Sequence, residues 1–365
     1  MTRVAVVGSG LAGFTAYQTL RRELEPEEIA VFGTDGDPAA AFRRHAAAIR
    51  QREMRSESDG HCLPASFPGL SLCSAVRRRS PAPLLGALCD RFHPTVEEFL
   101  GHVERLRALS GWERSVRLEG IERVRAVADG FELDGHGVFE HVLLATGHPG
   151  LNVPDALRDD PRAVHAYEPH DYAGSVTVVG AGLAAATEWL NALAAGAEVV
   201  SVRRNEPVRR PLNVPRELLT RRGLADFHRL PHGERAARLR SLLAPSYPPG
   251  RAFDEPIAHA TMEGRFRVEE SVNGSAQVIC ATGFRRGFRH DPLLSRLVDE
   301  HGLETADEWI VLDPDGTVAA LSGPRRTLAL AGVPAQWAFP GADSISGAKY
   351  VAHGFLRRIE SCRTR

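Results

Sequence analysis

One glycine-rich turn occurs twice in this chain, and this repeat constrains the fold more than any other feature. The segment "VAVVGSGLAG" covers residues 4–13, and "VTVVGAGLAA" covers residues 176–185. In each copy a β-branched run leads into a Gly-x-Gly-x-x-Gly/Ala turn and then into an amphipathic stretch, which is typical of strand, turn and helix. Single glycine-rich turns are common, but two copies in the same local context predict two dinucleotide-binding units.

The glycines of the turn each have a geometric role. Gly8 lets the chain leave the strand sharply, Gly10 lets a pyrophosphate approach the backbone, and Gly13 lets the helix pack closely on the strand. The N-terminus of the following helix then presents free N–H groups and a partial positive charge to the phosphates. The corresponding residues of the second copy are Gly180, Gly182 and Ala185.

The residues after the second strand of each unit distinguish the two expected nucleotides. An acidic residue at this place normally binds a ribose 2′-hydroxyl, whereas an arginine accommodates a 2′-phosphate. The first unit has Gly33 there, with Thr34 or Asp35 as candidates to replace the acid. The second unit has Arg203 and Arg204, which favours NADPH over NADH. An arginine-rich composition is the alternative explanation for this pair.

The order of the motifs predicts an α/β protein with two Rossmann-like, three-layer dinucleotide-binding domains, the second inserted into the first. We expect residues 1–162 and 273–365 to form the first, discontinuous domain and residues 163–272 to form the second. Residues from about 37 to 80 are rich in turn-formers and are predicted to be irregular. Further predicted elements are a buried strand at 142–145, a helix near 234–243, a strand and turn within 277–284, and a final helix.

Composition narrows the classes of function. The chain has 365 residues, 43% of them hydrophobic and 25% charged, with a formal net charge of -1. These values are ordinary for a globular protein and give no indication of a nucleic-acid or anionic-membrane partner. We find neither a secretion signal nor an apolar run that could span a bilayer. The five cysteines form no CxxC pair and no zinc-like spacing, so we expect a cytoplasmic protein without a metal site.

The ordered motifs resemble the two-dinucleotide-domain flavoproteins, and within them the flavin-containing (class B) monooxygenases and the N-hydroxylating monooxygenases. The resemblance covers most of the chain and rests on both glycine turns, "LLATGHPGLNVP" (143–154), "CATGF" (280–284) and "GADSISGAKYVAHGF" (341–355). It implies FAD in the first unit and NADPH in the second. It also implies oxygenation of a small amine or sulfur substrate with O₂ through a C4a-peroxyflavin.

The same resemblance implies cofactor-binding residues but no catalytic acid or base, because the flavin carries the reactive atom. The residues implied at the FAD site are Gly8, Gly10, Gly13 and Asp343, with Arg55 and Ser56 on the FAD or nicotinamide side of the cleft. Those implied at the NADPH site are Gly180, Gly182, Arg203 and Arg204. Thr146 and Thr282 are implied to lie in the linker strands near the cofactors.

One motif departs from the family pattern. The monooxygenases have a histidine followed four residues later by an aromatic residue just before the second turn. Here His165 with Tyr167, and His170 with Tyr172, have a different spacing. This departure, together with Gly33, keeps two alternatives open. They are an NADPH-dependent flavoprotein reductase without oxygenation and a non-catalytic FAD/NAD(P)-binding protein.

Two further residues are candidates for the flavin environment. Lys349 is the only lysine and lies at the start of the last predicted helix. Its ammonium would stabilise negative charge on a reduced flavin near N1–C2, and a helix-surface lysine is the alternative. His148 directly follows the first Ala-Thr-Gly and is the histidine nearest to this chemistry in sequence. The substrate and the oligomeric state stay open, a homo-oligomer included.

Overall fold

The structure is a computed structural model that describes residues 3–54, 70–88, 92–210, 214–272, 274 and 276–363. Its strands are β1 (Val4–Val7), β2 (Ile29–Phe32), β3 (Val116–Arg117), β4 (Val124–Val127), β5 (Gly130–Leu133), β6 (Gly137–Phe139), β7 (His141–Leu144), β8 (Ala163–His165), β9 (Ser175–Val179), β10 (Glu198–Val202), β11 (Val208–Arg209), β12 (Ser246–Tyr247), β13 (Phe266–Glu269), β14 (Gln277–Cys280), β15 (Thr305–Ala306), β16 (Trp309–Ile310) and β17 (Thr327–Leu330). Its helices are α1 (Leu11–Leu20), α2 (Ala40–Ala48), α3 (Leu70–Arg78), α4 (Ala82–Leu88), α5 (Val96–Ser110), α6 (Trp112–Ser115), α7 (Leu183–Ala194), α8 (Arg221–His228), α9 (His232–Leu242), α10 (Arg251–Met262), α11 (Pro292–His301) and α12 (Ile345–Arg363).

Two five-stranded parallel sheets carry the fold. The strand order is β17-β7-β1-β2-β3 in the first sheet and β8-β14-β9-β10-β13 in the second. In each sheet the strand that enters a glycine turn lies between its βαβ partner and the strand that ends in Ala-Thr-Gly. The two sheets therefore share one strand plan, and the predicted class of two Rossmann-like units is confirmed. A small antiparallel sheet, β4-β5-β6, completes the first unit.

Continuous apolar runs form the central strands because both faces of a parallel sheet are covered. Every residue of β1, β2, β7 and β17 is buried. Helix α1 packs against α12 over the first sheet. Trp112 closes this core with edge contacts to Phe14 and Tyr17, at ring-centroid distances of 5.0 and 5.1 Å. The second core is smaller and is centred on Trp189 of α7.

The Ala-Thr-Gly strands explain why each turn begins with glycine. Gly8 has φ +117° and Gly180 has φ +138°, a region that side chains rarely adopt. A Cβ at Gly8 would lie closer than 3.0 Å to the carbonyl oxygen of Ala145, and a Cβ at Gly180 would meet Ala281 in the same way. Both first glycines are therefore required by the neighbouring strand, independently of any ligand.

Two elements differ from the sequence expectation. Strand β14 pairs with β9 in the second sheet, whereas the boundary predicted after residue 272 placed it in the first domain. The second turn needs an Ala-Thr-Gly strand beside it, as the first turn does. The described part of segment 37–80, predicted to be irregular, contains α2 and α3. In α2, five alanines supply helix propensity that offsets the weak apolar periodicity.

The segment between β11 and β12 crosses to the first unit. Helices α8 and α9 place Phe227 and Leu239 in the core of the first sheet rather than the second. The buried Arg235 donates to the Trp337 carbonyl oxygen at 2.6 Å and lies over the Trp337 ring. The domain limits themselves stay a prediction. Among the helices of the described residues, none is both long and apolar enough to cross a membrane.

Candidate functional site

A cleft of about 1170 Å³ opens at the carboxyl ends of the first sheet's strands. Ligands of open α/β sheets bind at this edge. The predicted site residues in its lining are Gly8, Gly10, Thr146 and Asp343, and His148 lines it as well. Gly13 has a packing role, because a Cβ there would overlap the carbonyl group of Gly8. Arg55 and Ser56 lie outside the described residues.

The helices that follow the two glycine turns begin without a side-chain cap. Helix α1 starts after Gly10 and α7 after Gly182, and a Cβ at either glycine would meet nothing within 4 Å. Helices α5 and α11, in contrast, are capped by the side chains of Thr95 and Asp291. Uncapped N–H groups in front of open space form a ready anion site.

The residues at the end of β2 surround Gly33, the position at which an acidic residue is usual. A Cβ at Gly33 would lie closer than 3.0 Å to three atoms of Ser9, namely Oγ, Cβ and N. Asp35, one candidate to replace the acid, accepts a hydrogen bond from the Asp37 N–H at 3.1 Å and lies 3.6 Å from Arg44. The cleft lining at this end includes Ser9, Gly33, Thr34 and Asp35.

The two arginines after β10 have different environments. Arg203 has a side chain only 13% exposed, pairs with Glu206 at 2.8 Å and lies over the Trp189 ring at 5.7 Å. Arg204 is exposed, and no ion pair to it is found in the described part of the chain. Of the predicted pair, Arg204 is the one whose guanidinium is open to a ligand.

The two Ala-Thr-Gly threonines also differ. Thr146 lines the cleft, and its buried Oγ1 has no hydrogen-bond partner among the described residues. Thr282 instead donates its hydroxyl to the carbonyl oxygen of Asn152, and the Asn152 N–H donates to Gly283 at 2.9 Å. The structure thus places Thr146 at the site and Thr282 in the crossing between the two sheets.

Aromatic side chains form one wall of the cleft. His148 and Phe284, the residues after the two Ala-Thr-Gly segments, stack at 4.0 Å with an angle of 14°. Tyr167 stacks on the same phenyl ring at 5.1 Å, and His45 lies 4.8 Å from Tyr167. Burial lowers the pKa of His148 to about 4, and burial together with Arg44 lowers the pKa of His45. The wall is therefore uncharged at neutral pH.

Sequence reasoning placed one member of this wall near the flavin chemistry, His148, and named a second, Tyr167, only as a fingerprint aromatic with the wrong spacing. Phe284 holds the matching position after the second Ala-Thr-Gly. The repeat itself was the signal that pairs these two residues. His45 comes from α2, a helix that no motif marks.

The two histidines before the second turn are held by structural partners and differ in charge. His165 accepts the Tyr167 N–H at Nδ1, 3.1 Å away, and donates from Nε2 to the Gly283 carbonyl oxygen at 2.9 Å. One nitrogen accepts and the other donates, so this ring is neutral. Burial lowers its pKa, in agreement with that assignment.

His170 carries a proton on both ring nitrogens. It lies 2.7 Å from the Glu168 carbonyl oxygen and 2.9 Å from the carboxylate of Glu188, a fully buried residue. Both partners accept, so both nitrogens donate. Burial opposes this charge, but the hydrogen bond and the negative charge of Glu188 outweigh burial and raise the pKa of His170. The Tyr172 hydroxyl donates to the same carboxylate at 2.9 Å.

Other chemistry-bearing residues lie away from the cleft. Lys349 is 8% exposed, so the helix-surface interpretation is wrong, and burial lowers its pKa to about 8. Its neighbour Ala348, and not the lysine itself, lines the cleft. The free cysteines in the described ranges, none of which lines the cleft, are Cys73, Cys280 and Cys362. These ranges contain no group of three or more side chains able to hold a metal ion.

Comparisons with known proteins agree with this geometry at the level of fold. No protein-family model and no curated protein matches the sequence. Among solved structures, the Kutzneria sp. 744 ornithine N-hydroxylase, solved as KtzI-FADred-NADP+-L-orn, has a TM-score of 0.74 at 15% identity over 100% of both chains. Ornithine hydroxylase (PvdA) from Pseudomonas aeruginosa has a TM-score of 0.70 at 16% identity, covering 98% of this chain and 99% of that one.

A structure of another chemical class shares the fold less closely. Bacillithiol disulfide reductase Bdr (YpdA) from Bacillus cereus has a TM-score of 0.60 at 13% identity, covering 98% of this chain and 99% of that one. At such identities the likeness establishes the fold alone. The chain therefore shares with these solved structures a fold built on two Rossmann-type units.

Proposed function

We propose that this protein is an FAD- and NADPH-dependent monooxygenase that oxygenates a small nucleophilic substrate, with a primary amine as the first choice. The observation that carries the proposal is the cleft at the first turn. An uncapped helix start after Gly10 and an unpartnered Thr146 hydroxyl both face it. At about 1170 Å³ the cleft exceeds the usual range of small-molecule pockets, roughly 300–1,000 Å³, and so has room for a dinucleotide beside a small substrate.

The residues present fit both cofactors. In the first unit, Gly10 and the start of α1 would hold the pyrophosphate of FAD, with Thr146 and Asp343 as polar contacts. In the second, Gly182 and the start of α7 would hold the pyrophosphate of NADPH, and Arg204 its 2′-phosphate. When bound, the flavin accepts hydride from NADPH and activates O₂.

The chain's own residues shape the environment of the substrate. The aromatic wall excludes water from one side of the cleft, and a dry site strengthens electrostatic interactions within it. His45 and His148 are neutral and therefore do not repel a protonated amine as imidazolium ions would. The proposal assigns no catalytic acid or base to this chain.

The structure also bears on the alternatives. A reductase of the dithiol type needs a thiol pair near its flavin, and none of the described free cysteines lines the cleft. Burial raises the pKa of Cys280 to about 11, which makes it a poor nucleophile. The names of the neighbours with the higher TM-scores, ornithine hydroxylase and L-lysine 6-monooxygenase, favour an amine over a sulfur substrate.

The test begins with the absorbance spectrum of the purified chain, which we expect to show bound oxidised flavin. NADPH consumption in air is then measured with a panel of primary amines and thioethers, together with hydroxylamine product and hydrogen peroxide. We expect one amine to stimulate consumption and to yield N-hydroxylated product. Hydrogen peroxide equal to the NADPH consumed, with every compound, would favour the reductase. Failure to take up FAD would favour the non-catalytic protein.

A further inference from the structure

The first unit lacks the usual ribose contact, and the structure shows what fills its place. A carboxylate at the end of the second strand normally accepts a hydrogen bond from the ribose 2′-hydroxyl. Gly33 has no side chain, and the space that its Cβ would take is occupied by Ser9. The serine hydroxyl therefore stands where the first atoms of an acidic side chain would stand.

The acidic residues next to this position are committed to other contacts. Asp35 accepts the Asp37 N–H at 3.1 Å and lies close to Arg44. Asp37 accepts the Ala39 N–H at 2.9 Å and pairs with a second arginine at 3.1 Å. Both carboxylates thus shape the turn that leads into α2.

The Ser9 hydroxyl differs from these two carboxylates in its contacts. It is only 6% exposed, yet it borders the cleft. No hydrogen bond of its hydroxyl is found within the described ranges. In the second unit the sizes are reversed, since Ala181 takes the place of Ser9 and Arg203 the place of Gly33. In both units, one of the two positions is small and the other is polar.

We propose that Ser9 replaces the missing acid and accepts the hydrogen bond of the adenosine 2′-hydroxyl of FAD. This inference rests on the proposed FAD site and adds a residue that selects the ribose. With a serine in place of the acid, the site has no carboxylate directed at the ribose. It also explains Gly33, because any side chain at that position would displace the serine.

The test compares two proteins with two ligands, and binding affinity is the only quantity measured. Flavin-stripped wild type and Ser9→Ala are titrated with FAD and with an FAD analogue that lacks the adenosine 2′-hydroxyl, and flavin fluorescence reports the affinity. Wild type should bind FAD roughly three- to tenfold more tightly than the analogue, the value of one hydrogen bond. Ser9→Ala should bind both within about twofold. Ser241→Ala, an exposed helix position, is the control and should behave as wild type.

A second pair of variants tests whether the small residue and the polar residue can be exchanged between positions 9 and 33. Gly33→Glu alone should lower FAD affinity at least as much as Ser9→Ala, because the new side chain overlaps Ser9. Ser9→Gly combined with Gly33→Glu removes the overlap with the serine Oγ and Cβ and restores an acid, and only the 2.8 Å approach to the backbone nitrogen of residue 9 is left for a small backbone shift to relieve. The double variant should therefore bind FAD more tightly than Gly33→Glu alone.

The outcomes separate this inference from the proposed function. Wild type that binds FAD and the analogue equally overturns the role of Ser9 while leaving the FAD site intact. A Ser9→Ala variant that still binds FAD more tightly than the analogue also overturns the role of Ser9. So does a Ser9→Gly/Gly33→Glu double variant that binds FAD as poorly as Gly33→Glu alone. Wild type that binds no FAD overturns the proposed function itself, and this inference with it.

Discussion

The two nucleotide units share a strand order, an uncapped helix start and a neighbouring Ala-Thr-Gly strand, yet they differ at matched positions. The residue differs between the units, first unit first, at Ser9 and Ala181, at Gly33 and Arg203, and at Ala16 and Glu188. The matched threonines, Thr146 and Thr282, differ in their contacts instead. The shared features form the turn. At the positions where the residues or their contacts differ, each unit acquires its own ligand preference or structural contact.

The largest effect should separate glycines that the fold requires from glycines that a ligand requires. Gly8→Ala should lower the free energy of unfolding by about 4 kcal/mol or more, because positive φ and an overlap with the Ala145 carbonyl group combine. Gly180→Ala should behave alike. Gly10→Ala and Gly182→Ala should change stability by less than about 1 kcal/mol, since open space faces them. Urea unfolding of the flavin-free chain measures all four.

The second pair of glycines should instead affect binding. Gly10→Ala should weaken FAD binding more than tenfold without changing NADPH affinity, and Gly182→Ala the reverse. A methyl group at each site would occupy the approach of the phosphates. Equal loss of both nucleotides in either variant would contradict the assignment of one turn to each cofactor.

The next largest effect concerns Glu188, a fully buried carboxylate in the second unit whose matched residue in the first unit is Ala16. His170→Gln leaves the Glu188 carboxylate without its cationic partner, with the Tyr172 hydroxyl still donating to it, and should cost about 3 kcal/mol at pH 6. Because the pKa of His170 is raised, the stability that it contributes is complete below the unfolded pKa near 6.5 and is lost as pH rises through the folded pKa. The gap between wild type and variant should therefore shrink between pH 6 and pH 9.

His165→Gln is the matched control with the opposite slope. Burial lowers the pKa of His165, so the unfolded chain binds the proton more readily, and wild-type stability falls as pH drops below about 6.5. Removing His165 should flatten the acid side of the stability curve and leave the alkaline side unchanged. Parallel pH profiles for the two variants would contradict the assignment of a charged and a neutral ring. The groups that also face His170 are Tyr172, Arg50 and Glu168.

The repeat made the fold predictable from sequence because glycine spacing and β-branched runs report local backbone geometry. Both βαβ units follow from such local signals. The place of β14 does not, because sheet membership depends on pairing between distant strands. The termination of α1 at Leu20 likewise depends on the turn that follows.

The site was predictable only where a motif marked it. Gly10 and Thr146 lie in repeated motifs and line the cleft. Ser9 is one of the unspecified positions of the fingerprint, so its complementarity with Gly33 becomes visible only in three dimensions. The paired arginines show the same limit, since a side-chain ion pair with Glu206 decides which of them is open.

A smaller effect tests that difference between the arginines. Arg204→Ala should raise the KM for NADPH roughly ten- to hundredfold and leave the KM for NADH nearly unchanged, because a charge-assisted contact is worth about 1.5–3 kcal/mol. Arg203→Ala should act chiefly on stability through its contact with Trp189. The double variant should match Arg204→Ala in nucleotide preference. Steady-state kinetics with both nucleotides would refute this division if Arg203→Ala alone abolished the preference for NADPH.

The smallest effect should come from the two threonines, and it tests the comparison most finely because the residues and their local motifs are identical. Thr146→Val replaces an unpartnered hydroxyl and should leave the free energy of unfolding unchanged or slightly higher. It should weaken FAD binding by roughly three- to tenfold, the value of one hydrogen bond. Thr282→Val should lower stability by about 1 kcal/mol, since it removes the bond to Asn152, and should not change FAD affinity.

Fluorescence titration and urea unfolding of both threonine variants give the four values needed. Loss of FAD affinity in Thr282→Val would mean that the crossing between the sheets transmits strain to the first cleft. Loss of stability in Thr146→Val would mean that its hydroxyl has a structural partner. Opposite responses from one residue type would show that the cleft of the first unit leaves a polar atom for its ligand, whereas the second unit uses the matching atom to join the two sheets.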